Sequence, residues 1–221
     1  MNGIIALSIA ALSFVALVLA ALVLARFRAD RRPPHAYWGV GILLVAVTLA
    51  EEAALYAGVW SQLLIRSYLV LVALLVGLLS LGSAELSLKG LWRTVWFGFV
   101  GLTCAACAVV GALSPVSSSI MFQGVVWRLP PTGVVVTSSL VTIPSALLLI
   151  VSSVYGAIRQ RHPRLLYIAL GTAVISLAGT LYIVSFPVTL YYAEFVGVVL
   201  LFLGFLNVGK RPAASPSPAS F

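Results

Sequence analysis

Four ionisable side chains lie well inside apolar stretches of this sequence. Glu51 and Glu52 are consecutive, Arg66 lies in the next apolar run, and Glu194 lies in the last one. A charged side chain facing lipid is unfavourable by roughly 2.5–3.5 kcal/mol on insertion scales, so these groups are expected to turn inward and pair. Such a set can form an ion pair, hold a proton or bind a cation. Its excess of acid over base favours a proton or cation over an anion.

The four groups share one depth if their apolar runs are helices. Glu51 and Glu194 then lie about 9–11 Å from the same end of the bundle, and the long side chain of Arg66 reaches that level. We expect Arg66 to bridge to Glu51 or Glu52, with Glu194 as a further partner. Consecutive helical residues point about 100° apart, so Glu51 and Glu52 cannot both face one partner, and one of them is expected to be protonated or hydrated.

Aromatic residues surround the same depth. They are Tyr56, Trp60, Tyr68, Tyr182, Tyr191 and Tyr192. Their hydroxyls can donate hydrogen bonds to the carboxylates, although an ordinary aromatic belt at the membrane interface is the alternative. For the charged residues, the alternative is a purely structural ion pair. The predicted buried polar cluster is Glu51, Glu52, Arg66, Tyr68, Tyr182, Tyr191 and Glu194.

Other candidate residues point to packing rather than chemistry. Cys104 and Cys107 share a helix face at i, i+3, but their run contains no His, Asp or Glu, so small buried apolar residues are expected. His35 and His162 lie beside Arg and Pro, which is typical of solvated loops. No Ser or Cys has a base beside it. The sequence therefore predicts no catalytic residue, metal site or cofactor, and no enzyme.

The elements that position these residues follow from composition. The chain has 221 residues, of which 62% are hydrophobic and only 8% charged. Soluble globular proteins are typically about one quarter charged. The sequence therefore predicts an integral protein of the cell membrane that crosses the bilayer several times.

Seven apolar runs have about the 20 residues that a helix needs to cross the hydrocarbon. They are Ile4 to Ala25, Ala36 to Gly58, Gln62 to Leu86, Thr94 to Pro115, Gly133 to Ile158, Leu165 to Pro187 and Val188 to Val208. The predicted fold is an all-α bundle of seven transmembrane helices. The weakest boundary is the one between the sixth and seventh runs, where Pro187 is expected to break the helix.

Positive charges alternate between the two sides of this arrangement. Eleven of the thirteen Lys and Arg fall after the first, third, fifth and seventh runs: Arg26, Arg28, Arg31, Arg32, Lys89, Arg93, Arg159, Arg161, Arg164, Lys210 and Arg211. Because cytoplasmic loops are enriched in Lys and Arg, the N-terminus is predicted outside and the C-terminus in the cytoplasm. The net charge of +8 is thus explained by topology and anionic lipid, without nucleic acid.

One transmembrane domain is expected over residues 1–209. Residues 210–221 are rich in Pro, Ser and Ala and are predicted to be a disordered cytoplasmic tail. The first run has no basic residues before it and reads as an uncleaved span. The longest loop, Val116 to Thr132, is expected to form a short hairpin, a flap over the outer pocket or a docking edge for another subunit.

The predicted topology, with Arg66 followed closely by Tyr68, resembles that of the microbial rhodopsins. Retinal binding in that family needs a lysine within the seventh span. This chain has only Lys89 and Lys210, both at the inner membrane edge. The resemblance therefore implies the topology without retinal.

A second resemblance covers residues 38–86. The pattern Glu52, Gly58-Val59-Trp60, Arg66-Ser67-Tyr68 and Leu81-Gly82-Ser83 is similar to that of a set of small prokaryotic seven-helix membrane proteins. That set has no established function, so the similarity implies no activity.

Three functions fit these features. The favoured one is a non-catalytic subunit or stabilising component of a larger membrane assembly, whose partners are the bilayer and other subunits or further copies of the chain. The first alternative is a proton or small-cation pathway through the polar cluster, although its inner half has no ionisable group except Glu85 at the edge. The second is a small-molecule sensor or receptor without retinal.

Overall fold

The computed structural model describes residues 2–115, 121–122, 125–126, 131–159, 165–183, 193, 195–201 and 203–204. At residues 2, 121–122, 125–126 and 177–183 it describes the backbone alone. Its helices are α1 (Asn2–Asp30), α2 (Pro33–Tyr56), α3 (Gln62–Ser87), α4 (Leu91–Leu113), α5 (Thr132–Arg159) and α6 (Leu166–Ile183). Residues 195–201 are also helical. Two-residue strands β1 (Met121–Phe122) and β2 (Val125–Val126) pair antiparallel, as a short hairpin in the long loop would, whereas its roles as a flap or a docking edge stay predictions.

Helices α1 to α5 are each long and apolar enough to cross a membrane. The described chain is thus a helical bundle of the kind expected for an integral membrane protein, as predicted from composition. The sixth run is helical as α6, and the predicted seventh run contains the helical residues 195–201. Seven spans and the N-outside orientation stay predictions. Pro187 and the tail 210–221 lie outside the described residues.

Local signals explain why the helices begin and end where they do. Pro33 and Pro34 occupy the first positions of α2, where a missing N–H costs nothing. Gly58 adopts φ +87° after α2, a conformation that glycine tolerates. The Ser61 hydroxyl then accepts a hydrogen bond from the Leu64 N–H at 3.0 Å and caps α3. These short connections place consecutive helices antiparallel and side by side.

The centre of the bundle is an apolar cluster to which several helices contribute. Its buried members include Leu19 and Val23 of α1, Trp38 and Ile42 of α2, Leu79 of α3, Leu149 of α5, Ile168 of α6 and Leu201. Helix α4 contributes to a separate cluster through Cys107, which packs with Ala73 and Val141. Helix α4 therefore lies at the edge of the bundle, against α3 and α5.

Candidate functional site

The end of α2 and the start of α3 bring the first part of the predicted polar cluster together. Glu51 and Glu52 lie in the last two turns of α2, while Arg66 and Ser67 lie near the start of α3. Only residues 57–61 separate the two helices. The two acids and the base therefore lie within two turns of the connection between α2 and α3.

Glu51 is bound by a serine rather than by the predicted arginine. The Ser67 hydroxyl lies 2.7 Å from Glu51 Oε1 and 3.0 Å from the carbonyl oxygen of Leu64. One hydroxyl proton can serve only one of these acceptors at a time. Glu51 Oε2 is buried and has no hydrogen-bond partner. The carboxyl group thus retains an unused acceptor inside the bundle.

The predicted bridge between Arg66 and Glu51 is not formed within the described part of the chain. Arg66 Nε is buried and has no hydrogen-bond partner. The reason is rotational, because adjacent helical residues point about 100° apart. The face of α3 that presents Ser67 to Glu51 turns Arg66 to a different side.

Glu52 and the neighbouring tyrosines are engaged inside the bundle. Glu52 is 6% exposed, Tyr56 is buried with Ile9 and Leu12 of α1, and Tyr68 packs on a small cluster of α2 and α3. None of the three is free of partners. The burial of Tyr56 argues against a belt role, whereas Trp60 is 45% exposed and suits an interface position.

The remaining members of the predicted cluster are not described at the side-chain level. Tyr182 lies in α6, but its side chain is outside the described residues, as are Tyr191 and Glu194 altogether. It therefore stays a prediction that Tyr182 of α6, and Tyr191 and Glu194 of the seventh run, lie beside the α2–α3 site.

His35 corrects the expectation of a solvated loop residue. It lies in the first turn of α2 and is only 7% exposed, with its ring edge-on to Trp38 at 6.0 Å between centroids. Its Nδ1 is buried and has no hydrogen-bond partner. The two prolines, read as part of a loop, instead begin the helix and draw His35 into the bundle. His162 lies outside the described residues.

The two cysteines pack as predicted. Cys107 is fully buried beside Ala73 and Val141, and a Cβ at Gly77 would meet Cys104 Sγ at 3.0 Å. In the described part of the chain, no three His, Cys, Asp or Glu side chains converge to hold a metal ion. What the α2–α3 site offers chemically is proton or cation affinity through the unpartnered oxygen of Glu51.

The opposite end of α3 carries the ion pair found among the described residues. Arg93 Nη1 lies 2.9 Å from Glu85 Oε1, next to the loop that connects α3 and α4. Glu85 therefore lies at the basic end of the bundle, as its position in the sequence predicted.

No protein family model matches the chain. No curated protein matches it, and no solved structure matches it. The class of protein is therefore inferred from the structure alone. The described chain is an apolar helical bundle with five helices long enough to cross a membrane, as expected for an integral membrane protein.

Proposed function

We propose that this protein is a non-catalytic helical subunit of a membrane assembly, formed with other membrane proteins or with further copies of itself. The observation that supports this proposal is the outward face of α4. Gly98, Gly101, Ala105 and Ala112 share that face, and all are exposed. A Cβ built at Gly98 or Gly101 meets no atom within 4 Å.

A small-residue face has a particular use in lipid. Small side chains let two helix backbones approach closely, which is how transmembrane helices associate by packing. Leu102 and Val109, which are 73% and 57% exposed, border the small residues and would fit beside a partner helix. The opposite face of α4, with Val100 and Cys107, already packs within the chain. The free face is thus available for a helix from outside.

Leucine at both Gly98 and Gly101 is expected to abolish the association. The added side chains enter open space in the isolated chain and leucine is a better helix former than glycine, so the free energy of unfolding of the isolated chain should not fall. They would, however, hold a partner helix away. Native mass spectrometry of protein purified in mild detergent measures the stoichiometry of both forms.

A matched control places the same bulk on another exposed face. Ala11 and Ala21 are exposed on α1, and the double change Ala11→Leu with Ala21→Leu should leave the assembly intact. An unmodified protein that is monomeric and free of stoichiometric partners would contradict the proposal. So would equal assembly in the α4 and α1 variants.

A proton pathway is the second candidate, because of the geometry at Ser67. If Glu51 is protonated, it can donate to Ser67, and the Ser67 hydroxyl can then donate to the carbonyl of Leu64, so both contacts are used. His35 is buried at the opposite end of α2. It adds an ionisable group to the inner half of the proposed proton pathway, where only Glu85 was expected from the sequence.

Proton flux into liposomes tests this candidate. Glu51→Gln is expected to lower the flux at least ten-fold, and His35→Gln is expected to do the same. Glu85→Gln is the control, since that carboxylate is occupied by Arg93 at the surface, and it should leave the flux unchanged. Absence of flux in the unmodified protein, or equal flux in all three variants, would exclude the pathway.

A further inference from the structure

An apolar groove lies between α4 and α5. Its volume is about 440 Å³, within the ~300–1,000 Å³ of small-molecule sites. It is lined by Leu88, Trp92, Trp96, Phe99, Pro144 and Leu148. These walls are hydrocarbon and aromatic rings, so the groove suits an aliphatic chain.

The groove extends over about half the thickness of the bundle. Helix α4 is centred near residue 102, so Trp92 lies about 15 Å from its middle at 1.5 Å per residue. Pro144 lies close to the middle of α5. The hydrocarbon core of a bilayer is about 30 Å thick, so the groove runs from one membrane edge to the midplane. That is the depth reached by the acyl chain of a lipid in one leaflet.

The walls of the groove are held by contacts that do not involve a ligand. Trp96 Nε1 donates to Ser80 Oγ at 3.4 Å, and Ser80 is fully buried and donates to the Gly77 carbonyl at 2.7 Å. The ring of Trp96 also lies 5.6 Å from that of Phe99. On the other wall, the ring of Pro144 is joined to the α5 backbone and cannot rotate away from the groove. The groove therefore exists before anything binds.

Positive charge stands at the membrane-edge end of the groove. Lys89 lies in the loop between α3 and α4, and Arg159 is the last residue of α5. Among the described residues of this region, the ion pair is Arg93 with Glu85, so no carboxylate neutralises Lys89 or Arg159 there. Both are exposed. This end of the bundle is therefore complementary to an anion.

Helix α5 connects the charge to the groove along one face. Leu148, Tyr155 and Arg159 are seven and four residues apart, spacings that place them above one another on a helix. The Arg159 guanidinium lies 5.6 Å over the Tyr155 ring and also hydrogen-bonds its hydroxyl. One ligand could thus place an apolar chain in the groove and an anionic group at Arg159, because both lie on the same face of α5.

We propose that the α4–α5 groove binds one acyl chain of an anionic phospholipid, with Lys89 and Arg159 contacting the phosphate of its headgroup. Helix α4 uses a different face for this site from the small-residue face of the proposed assembly. The site is therefore independent of the proposed subunit role.

Native mass spectrometry of the full chain in detergent, titrated separately with phosphatidylglycerol and phosphatidylcholine, tests the site. We expect one phosphatidylglycerol to bind more tightly than phosphatidylcholine. Lys89→Gln with Arg159→Gln should weaken phosphatidylglycerol binding by about five-fold for each charge removed. Phosphatidylcholine binding should weaken less, because its choline group offsets the charge of the same phosphate. Leu148→Trp, which fills the groove, should weaken both lipids.

Two further variants keep the test decisive. Trp92 is 73% exposed at the mouth, so Trp92→Ala removes a groove wall without opening the core and should also weaken both lipids. Arg28→Gln with Arg31→Gln removes the same charge from the last turn of α1 and the residue that follows it, and should have no effect. Equal binding of the two lipids by the unmodified protein, equal losses in the α1 control, or full binding in both groove variants would overturn the proposal. Recovery of a neutral apolar molecule in place of phospholipid would overturn it as well.

Discussion

Alanine at Gly82 is expected to destabilise the bundle by about 1–3 kcal/mol, the usual cost of overpacking a tight interior. Gly82 of α3 lies against α2, where an added Cβ would stand 2.5 Å from Cδ1 and Nε1 of Trp38 and 3.1 Å from the Pro34 carbonyl oxygen. Contacts below 3.0 Å force something to move. Trp38 is only 3% exposed and belongs to the central cluster, so its ring has no free space to enter.

Thermal unfolding in detergent measures this change, and Gly3→Ala on α1 is its control. The same methyl at Gly3 meets no atom within 4 Å and should not destabilise the protein. Trp38→Leu combined with Gly82→Ala should lose less stability than the sum of the two single changes, since the smaller side chain makes room. Equal stability of Gly82→Ala and Gly3→Ala would show that α2 and α3 are less closely packed there.

The helices themselves were predictable from the sequence. The third run was expected from Gln62 and α3 begins at that residue, and the fifth was expected over Gly133 to Ile158 where α5 spans Thr132–Arg159. Apolar length and flanking charges determine where a helix can lie across a membrane. The α1 helix extends beyond its predicted end at Ala25 to Asp30, because arginines are good helix formers once outside the hydrocarbon.

The partners within the site were less predictable. Depth along a helix follows from counting residues, and it predicts a similar depth for Glu51 and Arg66. The rotation of α3 about its axis depends on tertiary packing, such as the contact of Gly82 with Trp38. That rotation gives Glu51 the hydroxyl of Ser67 and turns Arg66 aside. Ser67, next to Arg66, was the one feature of the sequence that could have indicated the true partner of Glu51. Serines in apolar helices commonly hydrogen-bond their own backbone, so this feature alone does not predict the contact.

His35 shows a second limit of sequence patterns. The pair Pro33-Pro34 next to arginines is typical of a loop, but proline is equally favoured in the first turn of a helix. Whether the proline pair lies in a loop or begins a helix depends on whether the residues after it pack against another helix. Here Trp38 packs into the central cluster, so the helix starts at Pro33 and His35 is buried with it.

The last and most damaging substitution expected is Gly171→Ala, at the contact between α6 and the helical residues 195–201. A Cβ at Gly171 would lie 2.8 Å from the carbonyl oxygen of Gly197 and 3.0 Å from the backbone N of Leu201. A Cβ at Gly197 would in turn lie 3.1 Å from the Gly171 carbonyl oxygen. These two backbones touch because neither residue has a side chain, as in close transmembrane helix pairs.

Relief of this clash requires the two helices to separate, since a backbone atom cannot rotate away as a side chain can. Separation would pull Ile168 of α6 and Leu201 apart within the central cluster, so the loss should reach or exceed the upper end of the ~1–3 kcal/mol range for overpacking. Thermal unfolding of Gly171→Ala beside Gly3→Ala, where the added methyl is in open space, separates this contact from the general effect of the substitution. If both variants unfold at the same temperature, α6 and residues 195–201 do not depend on this contact, and the sixth and seventh runs must be held together elsewhere.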